Sequence, residues 1–561
     1  MPTITASKKE LFKLIGKKLP EATLKDRISM LGTDLEEIDG DDIKVEIFPN
    51  RPDLLSTQGL GRALASFIGT KPGLREYKVK PSKKKVIVDK NVTMRPYTAC
   101  AIVKGLTLSD QNIIDLMQLQ EKLATTHGRN RKKSAYGIYP LESINFPVHY
   151  VAKDPKKIKF KPLGFEEEIC AALIPEVHPK GKSFASLTSN WKQFPFFIDA
   201  KDNIMCMLPF TNSEETGKVT VDTKDVFIEC TGIDLCNVNI ALNILTTTLA
   251  DMGGTIESLE IEYKANKKTF TTPNLNPKEM LLDLNRINKL LGLKLNQNDA
   301  IKWLKRMGFG TKKIVDKAKK DNLTVLIPSY RNDILHQVDF AEDIAIAFGY
   351  ENFKEQIPEV ATIAKQDPLQ IFSEKIRQIL IGLGELEVKN FHLIKETELT
   401  ELMSTKQKVI KLSNSLGDHN ILRDAILPSL LKTLSINSHN EYPQDIFEIG
   451  RVFKKSFDKS IDTGIKETLN LAVALCSEQV DFTAIRQVVD SVSLHLNTKI
   501  SVKEISHPSY IEGRVGQIML NKKTIGIIGE IHPQVLENWQ IKAPVVNLEL
   551  DLEELYKEAR K

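Results

Sequence analysis

Apolar residues recur at helical spacing from the start of the chain. Leu11, Phe12, Leu14 and Ile15 follow Ser7-Lys8-Lys9-Glu10, a capping box that opens an amphipathic helix over residues 7–16. A second helix is predicted over 23–31, with Gly32 placed to cap its end. Residues 44–48 alternate as a strand does and run into Pro49-Asn50-Arg51-Pro52-Asp53, where two prolines oppose further sheet or helix. Another helix is expected over 56–68, and the lysine-rich stretch 76–96 reads as a strand pair or a linker. Between 95 and 262, strand-like runs at 99–103, 169–173, 219–221 and 226–229 mix with helical stretches at 111–124 and 237–252. Residues 270–350 form a further unit. Asn276-Pro277-Lys278-Glu279 should open a helix with proline in its first turn, short helices follow at 283–291 and 298–307, then a strand at 324–327 and a last helix over 333–348. This order suits a winged-helix-like domain. Beyond 355, apolar runs at 409–412, 446–449, 471–475, 517–520, 524–528 and 545–550 predict an antiparallel sheet with helices on one face. The expected architecture is α+β and multidomain, divided at 1–85, 86–265, 270–350 and 355–561.

Length agrees with that division, since 561 residues at roughly 150 per domain give three to five. Hydrophobic residues at 41% and charged residues at 27% exclude a largely disordered chain and a coiled-coil rod. No run of about 18 apolar residues occurs, so no membrane span is expected. Six cysteines without a C-x-x-C pair argue against a disulfide framework or zinc ribbon and for a reduced, cytoplasmic protein. The net charge of +5 is small, but cations crowd into 78–90, 129–133 and 153–161. Such clusters suit a phosphate-backbone ligand touched in places; solvated surface is the alternative for each run.

The densest chemistry lies in Pro328-Ser329-Tyr330-Arg331-Asn332-Asp333-Ile334-Leu335-His336, continued by Asp339, Glu342 and Asp343. On a helix the last three share one face at i, i+3 and i+4. Like charges there are costly unless something cationic faces them. Mg²⁺, which takes oxygen ligands, is one answer, and arginines of a partner are another. The helix dipole accounts for Asp333 but serves Asp343 poorly.

This segment, with Phe348-Gly349-Tyr350 after it, resembles the β-subunit family of phenylalanyl-tRNA synthetases in its archaeal and eukaryotic cytosolic form. The resemblance covers essentially the whole chain. Pro49-Asn50-Arg51-Pro52-Asp53-Leu54-Leu55-Ser56 looks like the family's N-terminal signature, and residues 227–234 resemble its editing-domain signature. Residues 422–431, 447–451 and 528–533 look like its C-terminal module. The resemblance implies Mg²⁺ positions at Asp333, Asp339, Glu342 and Asp343. It also implies an (αβ)₂ heterotetramer with an α subunit, L-phenylalanine and ATP as substrates, and tRNA(Phe) as partner. Aminoacylation chemistry would sit on α. Consistent with that, residues 355–561 hold no late Gly-x-Gly…Arg element for ATP, so the module reads as an inactive class II-like one. Arg423 and Arg451 read as structural remnants.

Editing follows from a discrimination problem, because a pocket shaped for a phenyl ring rejects a ring with one added hydroxyl only weakly. A second site must recognise that hydroxyl and hydrolyse Tyr-tRNA(Phe). The polar candidates are Asn212, Ser213, Glu229, Thr231 and Asp234. Turn-capping is the competing role for each. The chain departs from the family with Ile233 and Cys236 where threonine is usual, and both changes remove a hydroxyl. His127, Arg129, Arg131, Lys132 and Lys133 form a basic loop suited to the 3′ end of tRNA, or a solvated loop. Two other functions fit parts of the same pattern: a winged-helix nucleic-acid adaptor, and a stand-alone aminoacyl-tRNA deacylase.

Overall fold

The computed structural model describes residues 2–313 and 322–560. It comprises two compact units, Met1–Gln356 and Ile357–Lys561.

Three larger sheets build the first unit, beside a two-stranded ribbon of Lys159–Phe160 and Ile169–Cys170. Strands Thr3–Ser7, Asp42–Glu46 and Asp34–Asp39 pair antiparallel in that order. Ser7 caps the helix Lys8–Ile15 by accepting from the Glu10 amide at 3.3 Å, and Gly16 ends it in the left-handed region at φ 78°. The helix Thr57–Phe67 begins with Ser56 accepting from the Gly59 amide at 3.0 Å. A ten-stranded sheet runs from Thr211–Asn212 through Ile204–Met207, Phe194–Ile198, Val148–Lys153, Val79–Val88, Thr255–Tyr263, Tyr97–Lys104 and Val226–Gly232 to Ser134–Pro140; Lys268–Thr272 pairs beside Thr255–Tyr263. Helix Leu235–Asp251 covers one face of it. The third sheet orders Lys278–Asp283, Asn322–Ile327 and Gly310–Lys313, with helices Leu284–Leu291, Gln297–Arg306 and Asp339–Phe348. One apolar core runs from Ile4 and Leu60 through Ile244 to Phe309 and Ile344, so all three sheets share it.

Several expectations are corrected here. The stretch around Val79–Val88 is a single strand, parallel to both Thr255–Tyr263 and Val148–Lys153, and its register breaks next to Pro81. Pro277 opens no helix: Lys278–Asp283 is a strand, and Asp283 caps the helix that follows by accepting from the Asn285 and Arg286 amides. Residues 219–221 are loop, and 169–173 is a two-residue strand followed by a 3-10 turn. The last helix of this unit starts at Asp339, not 333, because the Asp339 carboxylate accepts from the Leu335 and His336 amides at 2.8 Å each and ends the preceding loop.

In the second unit a seven-stranded sheet orders Leu386–Glu387, Gln444–Lys455, Ile465–Cys476, Val545–Asp551, Lys523–Ile531, Tyr510–Leu520 and Ser501–Glu504. It is antiparallel except for its short first strand. Helices cover both faces, not one. Leu471, Val473 and Leu475 enter a core with Ile376 and Val489, while Ala472, Ala474 and Cys476 enter another with Leu430 and Leu434. A strand buried on both sides shows a continuous apolar run instead of alternation, and that is the pattern of 471–476. Arg423 is fully buried here and donates to the equally buried Glu448 at 2.6 Å and to the Arg451 carbonyl at 3.1 Å. Arg451 itself is exposed.

Removing one partner of a buried pair strands the other charge. Glu448→Gln is therefore expected to cost about 3–5 kcal/mol of stability in urea unfolding. A loss under about 1 kcal/mol, the usual worth of an exposed pair, would refute a dry ion pair.

Candidate functional site

The strand Val226–Gly232 is buried along its whole length and sets Glu229 opposite Cys100 on one side and Gly137 on the other. Gly137 has a specific reason to be glycine, since a Cβ there would stand 2.5 Å from the Tyr139 hydroxyl and 2.7 Å from Glu229 Oε1. Tyr139 Oη lies 3.3 Å from Glu229 Oε1 and 3.1 Å from Asn212 Oδ1, while Glu229 Oε2 has no hydrogen-bond partner. Burial pushes the Glu229 carboxyl up to about 8, against the pull of Arg95, Tyr139 and Arg131. It is therefore protonated at neutral pH. Tyr139 Oη thus stands between the two side-chain oxygens and can donate its one proton to either. Asn212, held at its carbonyl oxygen by Tyr139, lines a cleft.

That cleft has a volume of about 640 Å³ and is walled by Met117, Ile138, Leu163, Phe210 and Val219, with Arg131, His178 and Lys180 among its polar residues. Gly217 leaves Asn212 its room, since a Cβ there would meet that side chain at 2.5 Å. Of the five editing candidates, the structure links Asn212 and Glu229 through Tyr139. Ser213 and Asp234 hold turns: Ser213 accepts from the Glu215 amide, and Asp234 accepts from the Cys236 and Asn237 amides at the head of Leu235–Asp251. Thr231 is buried in the strand with its hydroxyl unpartnered. Ile233 and Cys236 are exposed.

The basic loop divides in the same way. His127 shares a hydrogen bond with the Asn237 carbonyl at 3.0 Å, and burial lowers its pKa, which keeps it neutral. Arg129, Asn130 and Arg131 take consecutive left-handed conformations, φ 48°, 52° and 61°. This turn sends Arg131 inward, where it donates to the Pro209 and Phe210 carbonyls at 2.7 and 3.1 Å and lies over the Phe184 ring. Arg129 and Lys132 face solvent, and the Lys133 carbonyl accepts from the Ile233 amide at 3.0 Å. Tyr139 and Arg95 were not legible as site residues. Arg95, buried, donates to the Arg131 and Thr231 carbonyls, which sequence distance conceals.

The acidic cluster does not form one site. Asp333 takes both ends of the Arg331 guanidinium at 2.7 and 2.6 Å, and Asp343 accepts from the same arginine at 2.7 Å. Burial raises the Asp343 carboxyl despite Arg331, whereas in Asp333 burial is outweighed by Arg331 and the pKa is lowered. Asp339 caps backbone amides, and Glu342 lies at the surface beside it in a hollow with Leu290 and Tyr350. The expected shared face is thus split, and the cation that meets its buried side is the chain's own Arg331. Among the described residues no group of three or more His, Cys, Asp or Glu stands close enough to hold a metal ion. The four residues do not fit a single Mg²⁺ site as they stand.

Comparison with known proteins finds three family matches: the Phe-tRNA synthetase beta subunit B1 domain over residues 1–70, the tRNA synthetase B5 domain over 280–350, and the phenylalanyl tRNA synthetase beta chain CLM domain over 354–552. The phenylalanine–tRNA ligase beta subunit of Pyrococcus abyssi is 39% identical over 99% of this chain and 100% of its own length. That of Archaeoglobus fulgidus is 38% identical over 98% of each. A crystal structure of an N-terminal fragment of the Pyrococcus horikoshii phenylalanyl-tRNA synthetase beta subunit covers 62% of this chain and all of the fragment at 37% identity, with a TM-score of 0.59.

Two outcomes follow from the geometry. Between the unfolded glutamate range near 4.5 and the folded value of about 8, the folded state holds a proton on Glu229 that the unfolded state has lost. Stability therefore falls as pH rises through that window. Glu229→Gln should flatten the dependence and be more stable than the parent at pH 8, by melting temperature; an unchanged pH profile would contradict a protonated Glu229. Asp343→Asn should cost about 3 kcal/mol through Arg331, with no response to added Mg²⁺. Rescue of its melting temperature by Mg²⁺ would restore the metal assignment.

Proposed function

The chain belongs to the family of phenylalanine–tRNA ligase β subunits, and on that premise we propose that it works with an α subunit, in an (αβ)₂ heterotetramer of the cytoplasm. The complex attaches L-phenylalanine to tRNA(Phe) with ATP, and the cleft of the ten-stranded sheet hydrolyses Tyr-tRNA(Phe) formed in error. The observation that carries the second activity is the Asn212 amide, oriented by Tyr139 and Glu229 at the wall of a largely apolar cleft. The tyrosyl ring fits against Met117, Ile138 and Phe210, and its phenol oxygen accepts from Asn212. A phenylalanyl ring leaves that donor unpaired, which is the asymmetry a second site needs. Arg131 and Lys180 beside the cleft, with Arg129 and Lys132 on the outer loop, suit the phosphates of a tRNA 3′ end. Ser213 and Asp234 shape the turns that carry the cleft.

The synthetic site belongs on α. In the second unit Arg423 is consumed by Glu448 and cannot reach a nucleotide, so the module serves as a scaffold. Exposed Ile357, Ile363, Phe391, Leu416 and Phe457 give it apolar surface for a partner. The three-stranded sheet with helices Gln297–Arg306 and Asp339–Phe348 supports a winged-helix-like reading of 278–348. Mg²⁺ enters as the ion that accompanies ATP, and no step is assigned to an ion held by the acidic residues.

Co-expression with α should give a soluble complex that charges tRNA(Phe), and the chain expressed alone should aggregate; a stable monomer alone would count against the partnership. In the complex, Asn212→Ala should slow Tyr-tRNA(Phe) hydrolysis about tenfold, the worth of one hydrogen bond, with charging unchanged. Parental hydrolysis in that variant would remove Asn212 from the site.

A further inference from the structure

A second cleft of the first unit, about 560 Å³, carries a different chemistry. Five cations line it, Lys9, Lys13, Arg62, Lys71 and Arg75, against two carboxylates, Glu10 and Asp251. Both carboxylates are already engaged. Asp251 accepts from Arg62 at 2.7 Å and from Tyr77 at 3.0 Å, and Glu10 lies 3.7 Å from Lys13. Lys9, Lys71 and Arg75 have no side-chain ion partner among the described residues, and Arg75 is half-buried. Two further groups on the wall are buried and incompletely bonded: Arg62 is 5% exposed with Nη2 unpartnered, and Gln58 is 0% exposed with both its amide nitrogen and its amide oxygen unpartnered.

Buried donors without acceptors are costly, and excess cations around them repel one another. An anion with several acceptor oxygens relieves both. We propose that this cleft binds a phosphate-type anion, held by Arg75 and Lys71 at the mouth and by Arg62 and Gln58 within. Its volume admits a pyrophosphate or a nucleotide. A phosphodiester of bound RNA offers the same oxygens from another source. The proposal makes no use of the ligase reading, so each stands or falls separately.

Hydrogen exchange on the full-length chain in its complex with α reads this site directly. Inorganic pyrophosphate should slow exchange in segments 7–14, 71–75 and 107–112. The double variant Lys71→Ala/Arg75→Ala, whose side chains lie outside the apolar core, should keep its melting temperature and lose that protection. If pyrophosphate has no effect but a tRNA transcript protects the same segments, the anion is an RNA phosphodiester. Arg75→Ala should then lower the salt slope of RNA binding by about one. Protection by neither ligand, or protection that survives the double variant, overturns the assignment.

Discussion

The first unit depends on a knot of buried charge centred on Arg331. Arg331 binds Asp333 and Asp343 and lies 4.9 Å from the Phe309 ring, while Arg51 forms its own two-pronged pair with Asp53 at 2.9 Å. Arg51 and Arg331 lie close enough to repel, and each is also steadied by the other's aspartate. Beside them Arg62 covers the Tyr330 ring at 4.0 Å and is tied to Asp251. Taking such ions out of water costs several kcal/mol each, recovered only when every partner is in place. Arg51 and Arg331 each find an aspartate in their own loop, but Arg331 also takes Asp343 from helix Asp339–Phe348, and Arg62 of helix Thr57–Phe67 takes Asp251 from the end of helix Leu235–Asp251. These longer-range pairs tie the elements of the first unit to one shared core.

The same rule explains why two buried carboxyl groups behave oppositely. Asp333 faces a guanidinium squarely and is held ionised. Glu229 has Arg95 and Arg131 within electrostatic reach, but Arg95 spends its hydrogen bonds on backbone carbonyls and Arg131 on carbonyls and Glu121. Burial then decides, and the carboxyl is pushed up to about 8. Tyr139 bridges this carboxyl to Asn212, which puts a polar side chain in the wall of a largely apolar cleft.

In the second unit the buried ion pair serves the scaffold. Arg423 and Glu448 sit between a two-sided sheet and the helix Leu427–Ile436, and Asn390 donates to the free oxygen of Glu448 at 2.9 Å. Glu549, also buried, is spent on the Ile426 and Leu427 amides and on Asn470. Arg423, Glu448 and Glu549 are thus bound into the fold.

What the sequence determined by itself was local or periodic. Helix starts at Ser7 and Ser56, the run of strands beyond 440, the family and the α+β class all follow from spacing and motif, because capping and amphipathicity act within a few residues. The sequence also brought Asn212 and Glu229 forward as polar residues in apolar frames. It could not reveal Tyr139 between them, nor that Arg131 turns inward while Arg129 faces solvent, because those facts depend on a sheet register and a left-handed turn. Only the tertiary structure decided that Asp333 and Asp343 meet Arg331 while Asp339 ties the loop before its helix. Helical spacing says which side chains share a face, but burial and the nearest opposite charge decide what each carboxylate does.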